Sequence, residues 1–211
     1  MTSHGATGTD PHAGVLSERR TRTVHSILGA AMRIVEEEGI AGLSMSSLAQ
    51  RAGVSRQTLY NYFPDVDAVL GGLVDLGDAG TDELAARLSN ATDARASLAL
   101  FVEYVVGSVA TGHPSPVALT AALPTSHREA MSAHERHTES LVEVILERGR
   151  EDGLFRADVD PELDGRILYR AAFAGAELSR EPGADADALA RHLARDLLAM
   201  VDAADTPGQL R

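Results

Sequence analysis

Apolar residues recur along this chain at helical spacing, and no stretch shows the alternation of a strand. Val24, Ile27, Leu28, Ala31, Ile34 and Val35 fall on one face of a helix that stops at Gly39. Met45, Leu48, Ala49 and Ala52 repeat the stripe on a short second helix, with Ser44 placed to cap its first turn and Gly53 to end it in the left-handed region. Ser55 caps a third helix, whose Leu59 and Phe63 share an inward face. A fourth helix is predicted from Asp65 to about Leu88, and a fifth from Ala94 to Val109 with Leu98, Phe101, Val102, Val105 and Val109 inward. Gly112-His113-Pro114-Ser115-Pro116 breaks that pattern, and Pro116 opens a short helix to about Leu123. Ser126-x-x-Glu129 reads as a capping box for a long helix ending near Glu151-Asp152-Gly153. Asp160-Pro161-Glu162 starts the next helix, and a last one covers Ala184 to Asp202. The pattern predicts an all-α protein.

The tight Gly-Val-Ser turn between the second and third helices gives a helix-turn-helix, and the outward face of the third helix carries its chemistry. Gln57 and Asn61 sit near the centre of that face, with Thr58 and Tyr62 on one flank and Arg56 and Tyr60 on the other. Gln and Asn pair bidentately with adenine and Arg with guanine, so Arg56, Gln57 and Asn61 are the candidate base readers. Hydroxyl groups reach phosphates, which set register without reading sequence; Ser44, Ser55, Thr58, Tyr60 and Tyr62, together with Arg22, are the candidates for that role. Arg19, Arg20 and Arg22 crowd the start of the first helical stripe and Glu36, Glu37 and Glu38 its end, both against the helix dipole. A phosphate close to the arginines reverses their penalty, and the glutamates are free to point into water.

The segment SMSSLAQRAGVSRQTLYNYFPDVDAVL closely resembles the N-terminal DNA-binding domain of the TetR family of bacterial transcriptional regulators, over roughly residues 20–70 with GVSRQTLYNYF as its core. The resemblance implies phosphate contacts at Tyr60 and Tyr62. It also implies a lysine near the start of the next helix, where this chain has Val66 between Asp65 and Asp67. A usual backbone contact is therefore missing, which predicts weaker non-specific binding and a shallower salt dependence. The segment GREDGLFRADVDPELDGRILYRAAFAGAEL resembles the C-terminal half of many members, with far less specificity.

Charge changes this picture only when divided by region. The net charge is −12 and every one of the 19 basic residues is arginine. Residues 1–70 hold six Arg against seven acids, and the remaining 13 Arg face 24 acids, so the acidic excess lies outside the helix-turn-helix. With no cysteine there is neither a disulfide nor a thiolate metal site. No apolar run reaches membrane-spanning length and the N-terminus lacks the features of a signal peptide, so a cytoplasmic protein without membrane contact is expected. The expected division is an unstructured tail over 1–17, a DNA-binding domain over 18–64, a helical ligand-binding and dimerisation domain over 65–204 and a frayed end over 205–211.

Gly71, Gly72, Gly77 and Gly80 make the fourth helix either a hinge or a close-packing surface. The resemblance implies an effector pocket between this helix and the dimer helices, for which Phe101, Tyr104, Val105, His127, His134, Tyr169 and Phe173 are candidates; core packing or a surface position explains each at least as well. Ile167, Ala171, Ala174, Gly175 and Leu178, continuing from Leu163, face Leu189, Leu193 and Leu197, with Met200 and Val201, as a candidate intersubunit four-helix bundle. His134 and His137, with His127 and His113, lack an acid or cysteine to complete a metal site, and no phosphate-cradling loop or nucleophile elbow occurs, so no cofactor and no catalysis are expected. The expected function is a homodimeric regulator, a repressor released from a palindromic double-stranded DNA operator by a small-molecule effector. The rival is an all-helical carrier or enzyme that uses the helix-turn-helix only as scaffold.

Overall fold

A computed structural model describes residues 11–111, 113 and 123–203, the side chains of 11–18 excepted. Among these residues the chain forms eight α-helices: α1 (Pro11–Glu38), α2 (Met45–Ala52), α3 (Arg56–Tyr60), α4 (Val66–Ser89), α5 (Ala94–Ala110), α6 (Thr125–Glu151), α7 (Pro161–Ala176) and α8 (Ala186–Val201). They fall into two compact units, 1–72 and 73–211. The boundary lies inside α4 rather than at its start, because Val69 and Leu70 are buried and Gly72 lies against Phe63 and Leu28 of the first unit.

In the first unit, Ile27, Leu28, Ala31 and Ile34 of α1 are fully buried, as their spacing predicts, and α1 packs on α2. α1 begins at Pro11, so the expected tail is shortened: residues 11–17 are helical, and 1–10 lie outside the described residues. The arginines at 19, 20 and 22 consequently sit beyond the first turn, where the dipole acts weakly, and the predicted electrostatic conflict there is removed.

In the second unit α5 is the central helix, burying Ser97, Leu98, Phe101, Val102, Val105, Val106 and Val109 against α6, α7 and α8. A helix apolar around most of its circumference has to be surrounded. Leu84 and Leu88 of α4 join the same core. Asp160 caps α7 by accepting from Glu162 and Leu163, with Pro161 in the first turn as predicted. Ser126 is not the N-cap of α6: the helix starts two residues earlier than that box implies, behind Pro124, whose backbone (φ −56°, ψ 154°) turns the chain into the helix without a side-chain cap. Pro124 O accepts from His127 N at 3.0 Å, and Arg128 Nε donates to Leu123 O at 2.8 Å. The short helix expected over 116–123 and the frayed end at 205–211 lie outside the described residues, apart from Leu123.

α4 runs without interruption past Gly80-Thr81. A Cβ on Gly72 would meet Phe63 at 3.0 Å, on Gly77 the His134 ring at 3.1 Å, and on Gly80 the Tyr104 hydroxyl at 2.9 Å. Three of the four glycines named for a hinge are thus places where another side chain closes on the helix backbone.

Candidate nucleic-acid interface and effector site

The helix-turn-helix is set by short-range bonds. Ser44 Oγ accepts from Ser47 N at 3.1 Å while Ser47 Oγ accepts from Ser44 N at 3.0 Å, a reciprocal cap that anchors the start of α2. Ser47 Oγ also donates to Gly42 O at 2.9 Å. At the far end Gly53 takes φ 69°, ψ 28°; its N–H bonds Gln50 O, and Val54 N bonds Ala49 O at 3.1 Å, which completes a Schellman stop. Ser55 Oγ then accepts from Thr58 N at 3.0 Å and lies 2.7 Å from Thr58 Oγ1. Leu59 is fully buried and Phe63 nearly so, which turns the opposite side of α3 outward.

α3 is shorter than its sequence pattern predicts, ending at Tyr60 with Asn61 as its C-cap and Tyr62 in the following turn. Pro64 has no N–H to bond the Tyr60 carbonyl, so the helical ladder cannot continue past this point. Asn61 nevertheless keeps helical angles (φ −69°, ψ −20°) and bonds Gln57 O at 3.1 Å, so Gln57 and Asn61 stay on one exposed face. Arg56 is exposed and Tyr60 is 53% exposed, while Thr58 and Tyr62 are half-buried.

Three contacts of this surface carry no periodic signal. Arg56 Nη2 donates to Ser46 Oγ on α2 at 2.7 Å. Arg51 reaches back to α1, its Nη1 2.6 Å from Glu37 Oε2 and its Nη2 2.9 Å from Glu38 Oε1. The hydrogen bond and charge of Glu37 raise the Arg51 pKa above its ordinary value. Glu37 and Glu38, two of the three glutamates expected to point into water, therefore brace α2 instead. Arg20 lies over the Tyr62 ring, 5.4 Å from its centroid, beside the exposed Arg22. Asp65 Oδ1 accepts from Ala68 N at 2.8 Å, so the acidic residue before Val66 is the cap of α4.

In the second unit the effector candidates separate into two groups. Phe101 and Val105 are fully buried core residues. Tyr104 and Phe173 pack at the edge of that core; the Phe173 ring is tilted 56° to that of Tyr169, with centroids 4.9 Å apart. Tyr169 is 1% exposed and its hydroxyl has no hydrogen-bond partner among the described residues. Burial, with the charges of Glu135 and Glu139, pushes the Tyr169 pKa far above its usual value, so it stays a neutral donor. His134 Nδ1 shares a hydrogen bond with Asp78 Oδ1 of α4 at 2.7 Å, and the buried Thr81 and Thr138 hydroxyls pair at 3.2 Å. His127 is half-buried in the first turn of α6. Asp78, Thr81 and Thr138 were not legible in the sequence, because nothing local marks a polar residue that finds its partner on another helix.

The proposed dimer stripe also divides. Leu163, Ile167 and Leu178 are 55%, 44% and 51% exposed, and Ala174 is exposed beside them. Ala171, Leu189 and Leu193 are half-buried against the core, and Leu193 occupies the space a Cβ on Gly175 would need. Leu197 and Val201 are buried inside their own chain, because α8 turns that face to α5. Their burial takes them out of the proposed stripe, whereas Met200 is 46% exposed.

Comparison with known proteins follows the same division. Residues 27–71 match the family model described as bacterial regulatory proteins, tetR family. The chain is 46% identical over 50 residues to the HTH-type transcriptional regulator EthR of Mycolicibacterium smegmatis, a match that spans 24% of this chain and only 23% of that relative. It is 27% identical over 180 residues to the HTH-type transcriptional repressor KstR2 of Rhodococcus jostii, covering 79% of this chain and 82% of the relative. The structure of the TetR family regulator PfmR from Thermus thermophilus superimposes with a TM-score of 0.68 at 25% identity, over 82% of this chain and 97% of that one. Among the described residues no helix is long and apolar enough to cross a membrane.

Proposed function

We propose that this chain, whose residues 27–71 match the family model of bacterial regulatory proteins, tetR family, is a homodimeric repressor that leaves its operator when a small molecule binds the second unit. The observation that carries this reading is the outward face of α3, with Arg56, Gln57, Tyr60 and Asn61 exposed on a helix fixed by two serine caps, a left-handed glycine and the buried Leu59. Arg56, Gln57 and Asn61 read bases in the major groove. Arg22, Ser44, Ser55, Thr58, Tyr60 and Tyr62 set the register on phosphates.

Dimerisation uses the exposed stripe Leu163, Ile167, Ala174 and Leu178 on α7 and the turn after it, and presents two α3 helices to successive major grooves of a palindrome. Tyr104, His134, Tyr169 and Phe173 are the effector-facing residues, and ligand binding lowers operator affinity by about 5–150-fold. The relative KstR2, named a transcriptional repressor, supports the sign of the regulation.

Salt-titrated gel shifts and footprinting on the DNA flanking the protein's own gene test the reading. Paired protection about one helical turn apart is expected, and Gln57→Ala should cost ~1–3 kcal/mol at one base pair of each half-site. A folded dimer that protects no specific sequence, there or in a genomic library, overturns it.

A further inference from the structure

The bond from Arg56 to Ser46 joins an exposed side chain at the start of α3 to the solvent side of α2. An exposed arginine ordinarily samples many rotamers, and ordering it on a ligand has a cost. Here one N–H of the Arg56 guanidinium is already committed to Ser46 Oγ at 2.7 Å, which aims the group along the surface shared by α2 and α3. The guanidinium has five N–H donors, so four remain for the two acceptors, O6 and N7, of a guanine edge. Ser46 contributes to none of the caps: those are made by Ser44 with Ser47 and by Ser55 with Thr58. Its side chain therefore has no structural task in the motif other than Arg56.

We propose that Ser46 is a specificity-positioning residue, which presets the Arg56 guanidinium for one guanine in each operator half-site. The inference rests on the assignment of Arg56 as a base reader, and it adds that α2 decides how sharply α3 discriminates at that base pair. Loss of Ser46 frees Arg56 without removing it. The contact is still made, less selectively, while phosphate contacts and fold are untouched.

The test uses the full-length dimer on sequences selected from a random DNA library. Arg56→Ala first identifies the base pair that Arg56 reads. Ser46→Ala is expected to reduce the preference for guanine at that same base pair by about threefold to tenfold. Affinity for unrelated DNA, salt slope and melting temperature should be unchanged, and Ser46→Thr, which keeps the hydroxyl, should restore the preference. In the Arg56→Ala background, Ser46→Ala should add nothing. The inference is overturned if Ser46→Ala weakens all sequences alike, if it leaves the guanine preference intact, or if its effect persists without Arg56. A wild-type dimer that selects no sequence overturns the DNA-reading function itself. A wild-type dimer that selects an operator whose base preferences survive Arg56→Ala overturns only the role given to Ser46 and Arg56.

Discussion

The two units of this protein are both helical, yet their polar side-chain bonds reach over different distances along the chain. In residues 1–72 the polar bonds are exposed and mostly short in sequence: Ser44 with Ser47, Ser55 with Thr58, Arg56 with Ser46 ten residues away. In residues 73–211 caps of the same kind occur, at Asp93, Asp160 and Asp185, but other bonds tie distant helices: Asp78 to His134 and Thr81 to Thr138 across 56 and 57 residues, Glu139 to Arg166 across 27, and Arg95 to Asp202 across 107. The first arrangement sets the exposed face of α3 through caps a few residues long. The second makes the position of each helix depend on its neighbours, so a molecule that disturbs one contact shifts the packing of several. The proposed function asks for the former in a unit that reads DNA and for the latter in a unit that responds to a ligand.

The largest effect that would test this contrast is in the core of the second unit. Phe101→Ala should lose ~3–5 kcal/mol, because the fully buried ring leaves a cavity at the centre of α5. In chemical denaturation followed by residue-resolved NMR, α5–α8 should open first while α1–α3 keep their signals. Loss of both units in a single transition would break the contrast. In the first unit, Gly53→Ala places a side chain at φ 69° and should cost ~1–2 kcal/mol, read as a lower melting temperature together with weakened operator binding. A wild-type melting curve for this variant would mean that the turn is not under the conformational demand its angles indicate.

Tyr169→Phe is expected to act in the other direction. Removing a buried hydroxyl without a partner among the described residues should raise stability by about 1 kcal/mol at neutral pH. The same substitution gives a pH signature. The folded-state pKa of Tyr169 is raised, so its contribution is fully present below the unfolded value near 10 and is lost as pH climbs toward the folded one. The wild type should thus lose stability above about pH 10 more steeply than Tyr169→Phe. Coincident alkaline limbs would show that this hydroxyl is not shielded.

The smallest effect is expected at Val66, the position next to the cap residue Asp65. Val66→Lys should steepen the salt dependence of operator binding by about one unit of slope and leave selectivity alone. An unchanged slope would mean that no phosphate approaches the start of α4.

The helix-turn-helix was legible because its determinants lie within a few residues of one another. Ser44, Gly53, Ser55 and Leu59 each take the place that local propensity assigns them, and the exposed face of Gln57 and Asn61 follows from helical geometry alone. Even there, the length of α3 was misjudged where Pro64 overrides the apolar period at Phe63. The bracing of α2 by Arg51 against Glu37 and Glu38 was invisible, because it depends on how two helices cross. In the second unit the sequence placed most helices and their inward faces but misassigned Leu197, since apolar periodicity cannot tell a face covered by the same chain from one covered by another.

By itself, then, the sequence determined the all-helical class, the exposed face of α3 and its caps, all products of 3.6-residue periodicity and short-range hydrogen bonding. Only the tertiary structure decided that Gly72, Gly77 and Gly80 receive Phe63, His134 and Tyr104 rather than form an open hinge, and that Leu163, Ile167 and Leu178 stay outside while Leu197 goes in. The physical reason is the same in each case. A backbone cap is settled by neighbours along the chain, whereas burial and close approach are settled by whichever side chains the fold brings across the gap.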